Sequence, residues 1–373
     1  MIRRKLTSVL QTQLHKGKAI ILIGARQLGK TTLLRDLIHD KEHTLWLNAD
    51  DLDARTIVQN LTLARLKTML GQYRYVVIDE AQRIENIGLQ LKLITDNLPQ
   101  VQLLVTGSSA LEIANNINEP LTGRKYEYKL YPLSFDELQA HFGLVEERTH
   151  LPLRLVYGAY PDVVCHPSEA RKILMQLADS YLYKDVLEWE RIKKPERLLK
   201  LLQALAYQIG SEVSYSELAQ IVGLDKETIS NYINLLEQSQ VIFRLGSFNR
   251  NLRNELKFAR KIYFYDNGIR NALINNFSDI EMRQDVGALW ENYLVGERLK
   301  RNHYKGLYVN TYFWRTHQMQ EIDYIEESDG KMSAYEFKWN PRKRAKKNPT
   351  FRRAYPDVEI HTITTDNYID FLL

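Results

Sequence analysis

Apolar positions recur along this chain with two periods, and the places where one gives way to the other mark its elements. Leu6, Leu10 and Leu14, four apart, predict an amphipathic lead-in helix that ends near Gly17. Ile20-Ile21-Leu22-Ile23 is a short continuous apolar run, the pattern of a buried strand, and after a polar loop Leu33-Leu34 opens a helix that runs to about Ile38. Further strands are expected at Thr44-Leu45-Trp46-Leu47-Asn48, at Tyr75-Val76-Val77-Ile78-Asp79-Glu80 and over Val101 to Gly107. An acidic turn at Asp50-Asp51-Leu52-Asp53 and a helix over residues 56 to 70 separate the first two. Helical period returns over residues 168 to 210, broken at Pro195, with Tyr181, Leu182, Val186 and Leu187 as a core stripe.

The loop after the first strand carries the sharpest chemistry. Gly24-Ala25-Arg26-Gln27-Leu28-Gly29-Lys30-Thr31-Thr32 matches G-x-x-x-x-G-K-[ST] at every defined position. Between a strand and a helix, such a loop turns its backbone N–H groups inward, and with the positive end of the helix they cradle phosphate oxygens. Lys30 would reach the β- and γ-phosphates of ATP, and the Thr31 hydroxyl would hold Mg²⁺. The acids that end a later apolar strand supply the complement: Asp79 to hold the metal beside the loop, Glu80 to polarise the attacking water. Ser108, following Val101 to Gly107, either orients that water or caps the helix that Leu111, Ile113 and Ala114 imply.

Downstream, Ser214-Tyr215-Ser216-Glu217 is a capping box opening a short helix, Val222-Gly223-Leu224 makes a turn, and a second helix runs from Asp225 to about Gln238. With the extended arm Val241 to Leu245, these are the parts of a winged helix-turn-helix. The second helix would bury Ile229, Ile233 and Leu236 and present Lys226, Ser230, Asn231 and Asn234, either to a DNA groove or to a partner. Gly158-Ala159-Tyr160-Pro161-Asp162-Val163-Val164 reads as a rigid turn. A helix begins at Trp290, Tyr312 to Arg315 and Glu321 to Ile325 read as paired strands, and Ser333 to Trp339 is a strand with Glu336 and Lys338 on one face.

Two resemblances rest on these residues. Gly24 to Thr32, Ile78 to Glu80, Thr106-Gly107-Ser108-Ser109, Leu121-Thr122-Gly123-Arg124 and Tyr131-Pro132-Leu133-Ser134-Phe135 together resemble the AAA+ superfamily of prokaryotic ATPases that carry a C-terminal domain of unknown function of the DUF4143 type. The resemblance implies an αβα P-loop ATPase core followed by a helical lid, with Arg124 as an arginine finger or γ-phosphate sensor. Asp323, Glu336 and Lys338, with Glu291 upstream, resemble the D…ExK signature of restriction-endonuclease-like domains. That implies Mg²⁺ held by Asp323, Glu336 and Glu291, with Lys338 near the attacking water; a surface ion cluster is the alternative.

Composition adds limits. The chain has 373 residues, 44% of them hydrophobic, enough for more than one core. Its net charge of +5 is too modest to imply nucleic acid by itself, but Pro341 to Arg353 gathers seven basic residues and no acid. Phe351 and Tyr355 would stack on unpaired bases there or anchor the loop. The single cysteine, Cys165, excludes an internal disulfide and a cysteine-based zinc site, and its apolar neighbours favour a buried thiol. No apolar run of membrane-spanning length occurs, so a cytoplasmic protein without membrane contact is expected.

The expected fold is thus α/β: an ATPase core over 1–140, a lid over 141–210, a winged helix over 211–247 and an α/β restriction-endonuclease-like domain over 248–373. The expected activity is Mg²⁺-dependent ATP hydrolysis whose nucleotide state controls a module that engages DNA through the winged helix and the basic segment. That module is either a nuclease or a non-catalytic switch, and a homo-oligomer is required if Arg124 acts on a neighbour's nucleotide.

Overall fold

A computed structural model describes residues 2–39, 41–107, 121–180, 195–249, 260–316, 320–343 and 348–373. Ser108, Ser109, the helix after them, the stripe Tyr181 to Leu187 and residues 344–347 of the basic run lie outside the described residues. The chain forms two compact units, residues 1–131 with 238–240, and residues 132–237 with 241–373.

In the first unit β1 (Ala19–Gly24), β2 (Thr44–Asn48), β3 (Tyr75–Asp79), β4 (Gln102–Gly107) and β5 (Lys125–Leu130) form one sheet in the order β2-β3-β4-β1-β5. Every pairing is parallel. Parallel strands need crossovers that cover both faces, which is why β1, β3 and β4 are continuous apolar runs buried at every position. β5, with Lys125, Glu127 and Lys129, is the polar edge strand that apolar patterning did not reveal. The helix expected over 56–70 is two helices, Leu52–Gln59 and Leu63–Leu70, because Thr62 accepts a hydrogen bond from the Arg65 N–H and restarts the helix. β4 lies between β1 and β3, so strands β1 and β3 run about 10 Å apart with β4 between them.

The second unit begins with helices, among them Phe135–Phe142, Leu151–Tyr157, Pro161–Cys165, Ala170–Ser180 and Pro195–Tyr207. Next come β6 (Glu212–Val213), helices Tyr215–Val222 and Lys226–Gln238, then β7 (Ile242–Ser247) and β8 (Arg260–Phe264). Ile229, Ile233 and Leu236 are buried as the periodicity predicts, Lys226 and Asn231 are exposed, and Ser230 and Asn234 are half-buried. Helix Val286–Tyr304 precedes β9 (Asn310–Arg315), β10 (Glu321–Ser328) and β11 (Lys331–Phe337), an antiparallel meander. Helix Pro349–Ala354 then leads to β12 (Ile360–Ile363), parallel to β11. β7 pairs with β9, so one seven-stranded sheet, β12-β11-β10-β9-β7-β8-β6, runs across the boundary expected near residue 247.

One local expectation changes and two are made definite. Cys165 is exposed, because it ends the short helix that Pro161 opens instead of facing inward with Val163 and Val164. Phe351 is fully buried, 5.0 Å from the Trp314 ring and 5.0 Å from Tyr355, so it anchors its helix and offers no face to a base. The Gly158 segment is a clamp: Asp266 accepts hydrogen bonds from the Ala159 N–H (2.7 Å) and the Ile269 N–H (3.1 Å), capping helix Asn267–Leu273 at the same time. Gly158 sits at φ +69°, where a β-carbon would lie 2.1 Å from the Asp266 carboxylate. Gly158→Ala should therefore destabilise the protein by about 2 kcal/mol or more, read as a lowered urea midpoint; an unchanged midpoint would contradict this clamp.

A second buried constraint has a pH signature. The Glu326 carboxylate takes Arg298 Nε and Nη2 at 2.9 and 2.7 Å, with Asn302 and the Tyr324 hydroxyl at 2.7 and 3.2 Å. Burial alone would raise this carboxyl, but the Arg298 hydrogen bonds and charge hold it below its ordinary value. An acid lowered in the folded state contributes stability that is complete above the ordinary value of 4.5 and fades as the pH falls through the lowered one. Glu326→Gln should cost about 3 kcal/mol at neutral pH and flatten that acid limb in urea titrations; an acid limb as steep as the wild type's would refute the assignment.

Candidate functional site

The loop between β1 and helix Lys30–Leu37 takes its shape from backbone angles and close approach. Gln27 and Gly29 have φ of +59° and +84°, and a β-carbon at Gly24 would meet the Leu130 carbonyl oxygen at 2.8 Å. Leu28 is buried, Arg26 half-buried, and Gln27 and Thr32 are exposed. Lys30, only 4% exposed, folds back and donates to the Gly24 and Ala25 carbonyls at 2.8 and 2.9 Å. From the lead-in helix end, Arg4 holds the loop's other side, donating to the Leu28 and Tyr131 carbonyls at 2.7 and 2.6 Å.

Asp79 stands at the C-terminal end of β3 and is likewise 4% exposed. The Thr31 hydroxyl donates to it at 2.9 Å, and the Thr106 hydroxyl on the intervening β4 donates to its Oδ1. Thr106 in turn accepts from the Glu80 N–H at 3.0 Å. Glu80 turns out of the strand at φ +55°, and its carboxylate accepts from Gln82. A hydroxyl and a carboxylate converging in this way are hard oxygen donors of the kind Mg²⁺ prefers, so Thr31 and Asp79 fit that ion. The residues from Gly24 to Thr32, Asp79 and Glu80 therefore come together at one end of the sheet.

Arg124 does not join them. It precedes β5, the neighbour of β1, at the opposite end of the sheet, six residues from Leu130, which pairs with Gly24; at ~3.3 Å per residue that is about 20 Å from the loop. Its guanidinium pairs with Asp96 at 2.5 Å. In this register Arg124 does not reach its own chain's loop.

In the second unit, three residues of the D…ExK resemblance, Asp323, Glu336 and Lys338, come together, while Glu291 meets a lysine from another strand. Lys338 Nζ lies 3.3 Å from Glu336 and 3.7 Å from Asp323, whose carboxylate also accepts the Phe337 N–H at 2.7 Å. Asn348 donates to Glu336 at 2.5 Å. Glu291 accepts from Lys261 Nζ at 2.8 Å and from the Tyr263 hydroxyl at 2.7 Å, and Lys261 also reaches Glu321 at 2.6 Å. Burial, then the nearby Asp323 charge, raises the Glu291 carboxyl above its usual value, against the pull of Lys261. No group of three His, Cys, Asp or Glu side chains among the described residues is disposed to hold a metal. Lysine nitrogens, Lys261 at Glu291 and Lys338 at Asp323 and Glu336, stand among these carboxylates.

Sequence reading missed Thr106, Arg4, Lys261 and Tyr263. A polar residue closing an apolar strand marks the first, and a lysine inside the strand Arg260-Lys261-Ile262-Tyr263 marks the third. Arg4 had no local signal.

The comparisons agree with this geometry. Residues 16–139 match the family described as AAA domain, 148–280 a domain of unknown function, DUF8612, and 286–368 a domain of unknown function, DUF4143. The chain is 27% identical over 281 residues to an uncharacterized protein of Haemophilus influenzae, covering 68% of each. It is 25% identical over 340 residues to an uncharacterized protein of Mycobacterium tuberculosis, covering 90% of this chain and 74% of that one. The Walker-type ATPase of Pyrococcus abyssi superposes with a TM-score of 0.52 at 16% identity, over 74% of this chain and 96% of that one, which establishes a shared fold. The first unit is a P-loop domain of the AAA class. The chain joins that AAA domain to a C-terminal DUF4143 domain. Among the described residues no helix is long and apolar enough to cross a membrane.

Thr106→Val should leave nucleotide affinity within about threefold while slowing phosphate release about 10–100-fold, the worth of one hydrogen bond to a charged group. Turnover at the wild-type rate would remove Thr106 from the site.

Proposed function

We propose that this protein binds and hydrolyses ATP with magnesium, and that the nucleotide state controls a DNA-engaging module in the second unit. The observation that carries the reading is the hydrogen-bond chain Thr31, Asp79, Thr106 and Glu80 N–H beside the loop that buries Lys30. Lys30 would exchange its two loop carbonyls for β- and γ-phosphate oxygens, and the inward N–H groups from Ala25 to Thr31 would take the rest of the phosphate charge. Thr31 and Asp79 would hold Mg²⁺, which when bound neutralises charge on the β- and γ-oxygens. Glu80, its backbone held by Thr106, would accept a proton from the attacking water. Arg124, remote from its own loop, would act only on the nucleotide of a second copy, and this makes a homo-oligomer part of the proposal.

For the second unit, the order β6, two helices, β7 and β8, with β6 and β7 both antiparallel to β8, supports a winged helix over 211–247. Helix, three-stranded meander, helix and a parallel last strand support a restriction-endonuclease-like topology over 248–373. Exposed Arg342, Lys343, Arg352 and Arg353 would neutralise backbone phosphates.

Fluorescence anisotropy with a labelled duplex, in ADP and in a non-hydrolysable ATP analogue, tests the coupling. DNA affinity should differ at least about fivefold between the two states and fall steeply with salt, and Lys30→Ala should abolish the difference. Equal affinity in both states, or no DNA binding at low salt, would overturn the coupling.

A further inference from the structure

We infer that Lys261 takes the place of a divalent cation in the acid cluster of the second unit, so that the C-terminal module engages DNA without metal-dependent cleavage. The inference deepens the proposed function and rests on its restriction-endonuclease-like reading of the second unit.

Lys261 comes from β8, outside the helix and meander that carry the D…ExK residues, and its side chain is 2% exposed. Its nitrogen lies 2.8 Å from Glu291 on the helix and 2.6 Å from Glu321 on β10, bridging carboxylates of two elements as a bound ion would. An ammonium this deeply buried persists only if paired. The two carboxylates in contact with it, Glu291 and Glu321, supply that pairing.

Four of the carboxylate oxygens a metal would draw on are also engaged. Glu291 Oε1 accepts two donors, Lys261 and the buried Tyr263 hydroxyl. Asp323 Oδ2 accepts the Phe337 N–H and faces Lys338, and the two Glu336 oxygens meet Asn348 and Lys338. A divalent ion entering here would meet two ammonium groups at close range and would have to break these contacts. The negative charge left beyond the two lysines is met by neutral donors: Tyr263, Asn348 and the Phe337 N–H.

The test is Mn²⁺ binding to the full-length, nucleotide-free protein, followed by the electron paramagnetic resonance signal of free Mn²⁺, with Asp79→Asn as a control for the first unit. Wild type should show no site in the second unit tighter than about 1 mM. Lys261→Met should gain a site at least about tenfold tighter, lost again in the double variant Lys261→Met, Asp323→Asn. Wild-type uptake of Mn²⁺ that Asp323→Asn abolishes would overturn the inference. So would a Lys261→Met protein that folds, as judged by circular dichroism, and gains no site. Should Lys261→Met not fold, the wild-type arm decides alone. None of these readouts uses DNA or ATP, so they can fail independently of the coupling measured by anisotropy.

Discussion

The Asp79 carboxylate is the constraint on which the first unit's chemistry depends. Two hydroxyls from different elements, Thr31 at the start of a helix and Thr106 at the end of β4, donate to it, and Thr106 also accepts the Glu80 N–H. Hydrogen bonds to a charged acceptor are stronger than neutral ones, and in a buried setting they also fix geometry. One acid thus sets the positions of the helix that carries Lys30, of the strand between loop and acid, and of the residue expected to handle water. The strand order makes this possible, since only an inserted β4 brings a third side chain between β1 and β3.

The second unit is governed by buried charge. Glu326 with Arg298, Glu297 with Lys300, Asp285 with Arg270 and Arg283, and Lys261 with Glu291 and Glu321 are pairs with at least one buried partner. Each costs desolvation, and removing one partner strands the other. Those that join different elements fix registry. Arg298, for example, ties helix Val286–Tyr304 to Glu326 on β10, so the helix can sit over the meander in only one way. Lys261 does the same between β8, the helix and β10.

Much was readable from local pattern. The continuous apolar runs of β1, β3 and β4, the loop from Gly24 to Thr32, the acid at the end of β3 and the buried face Ile229, Ile233 and Leu236 all follow from short-range periodicity and turn chemistry. What escaped was of two kinds. Edge strand β5 alternates polar and aromatic residues without a clean apolar face, and the paired acids near Asp323 gave no hint of which cation would meet them.

By itself, then, the sequence determined which segments become strands and helices and which loop is built to hold phosphate, because those properties depend on neighbours a few residues away. Only the tertiary structure decided that Thr106 completes the Asp79 site, that Arg124 lies at the far end of its sheet from the loop, and that Lys261 stands among acids 30 and 60 residues further on. These depend on strand order and on burial, which lower the local dielectric and turn distant charges into partners.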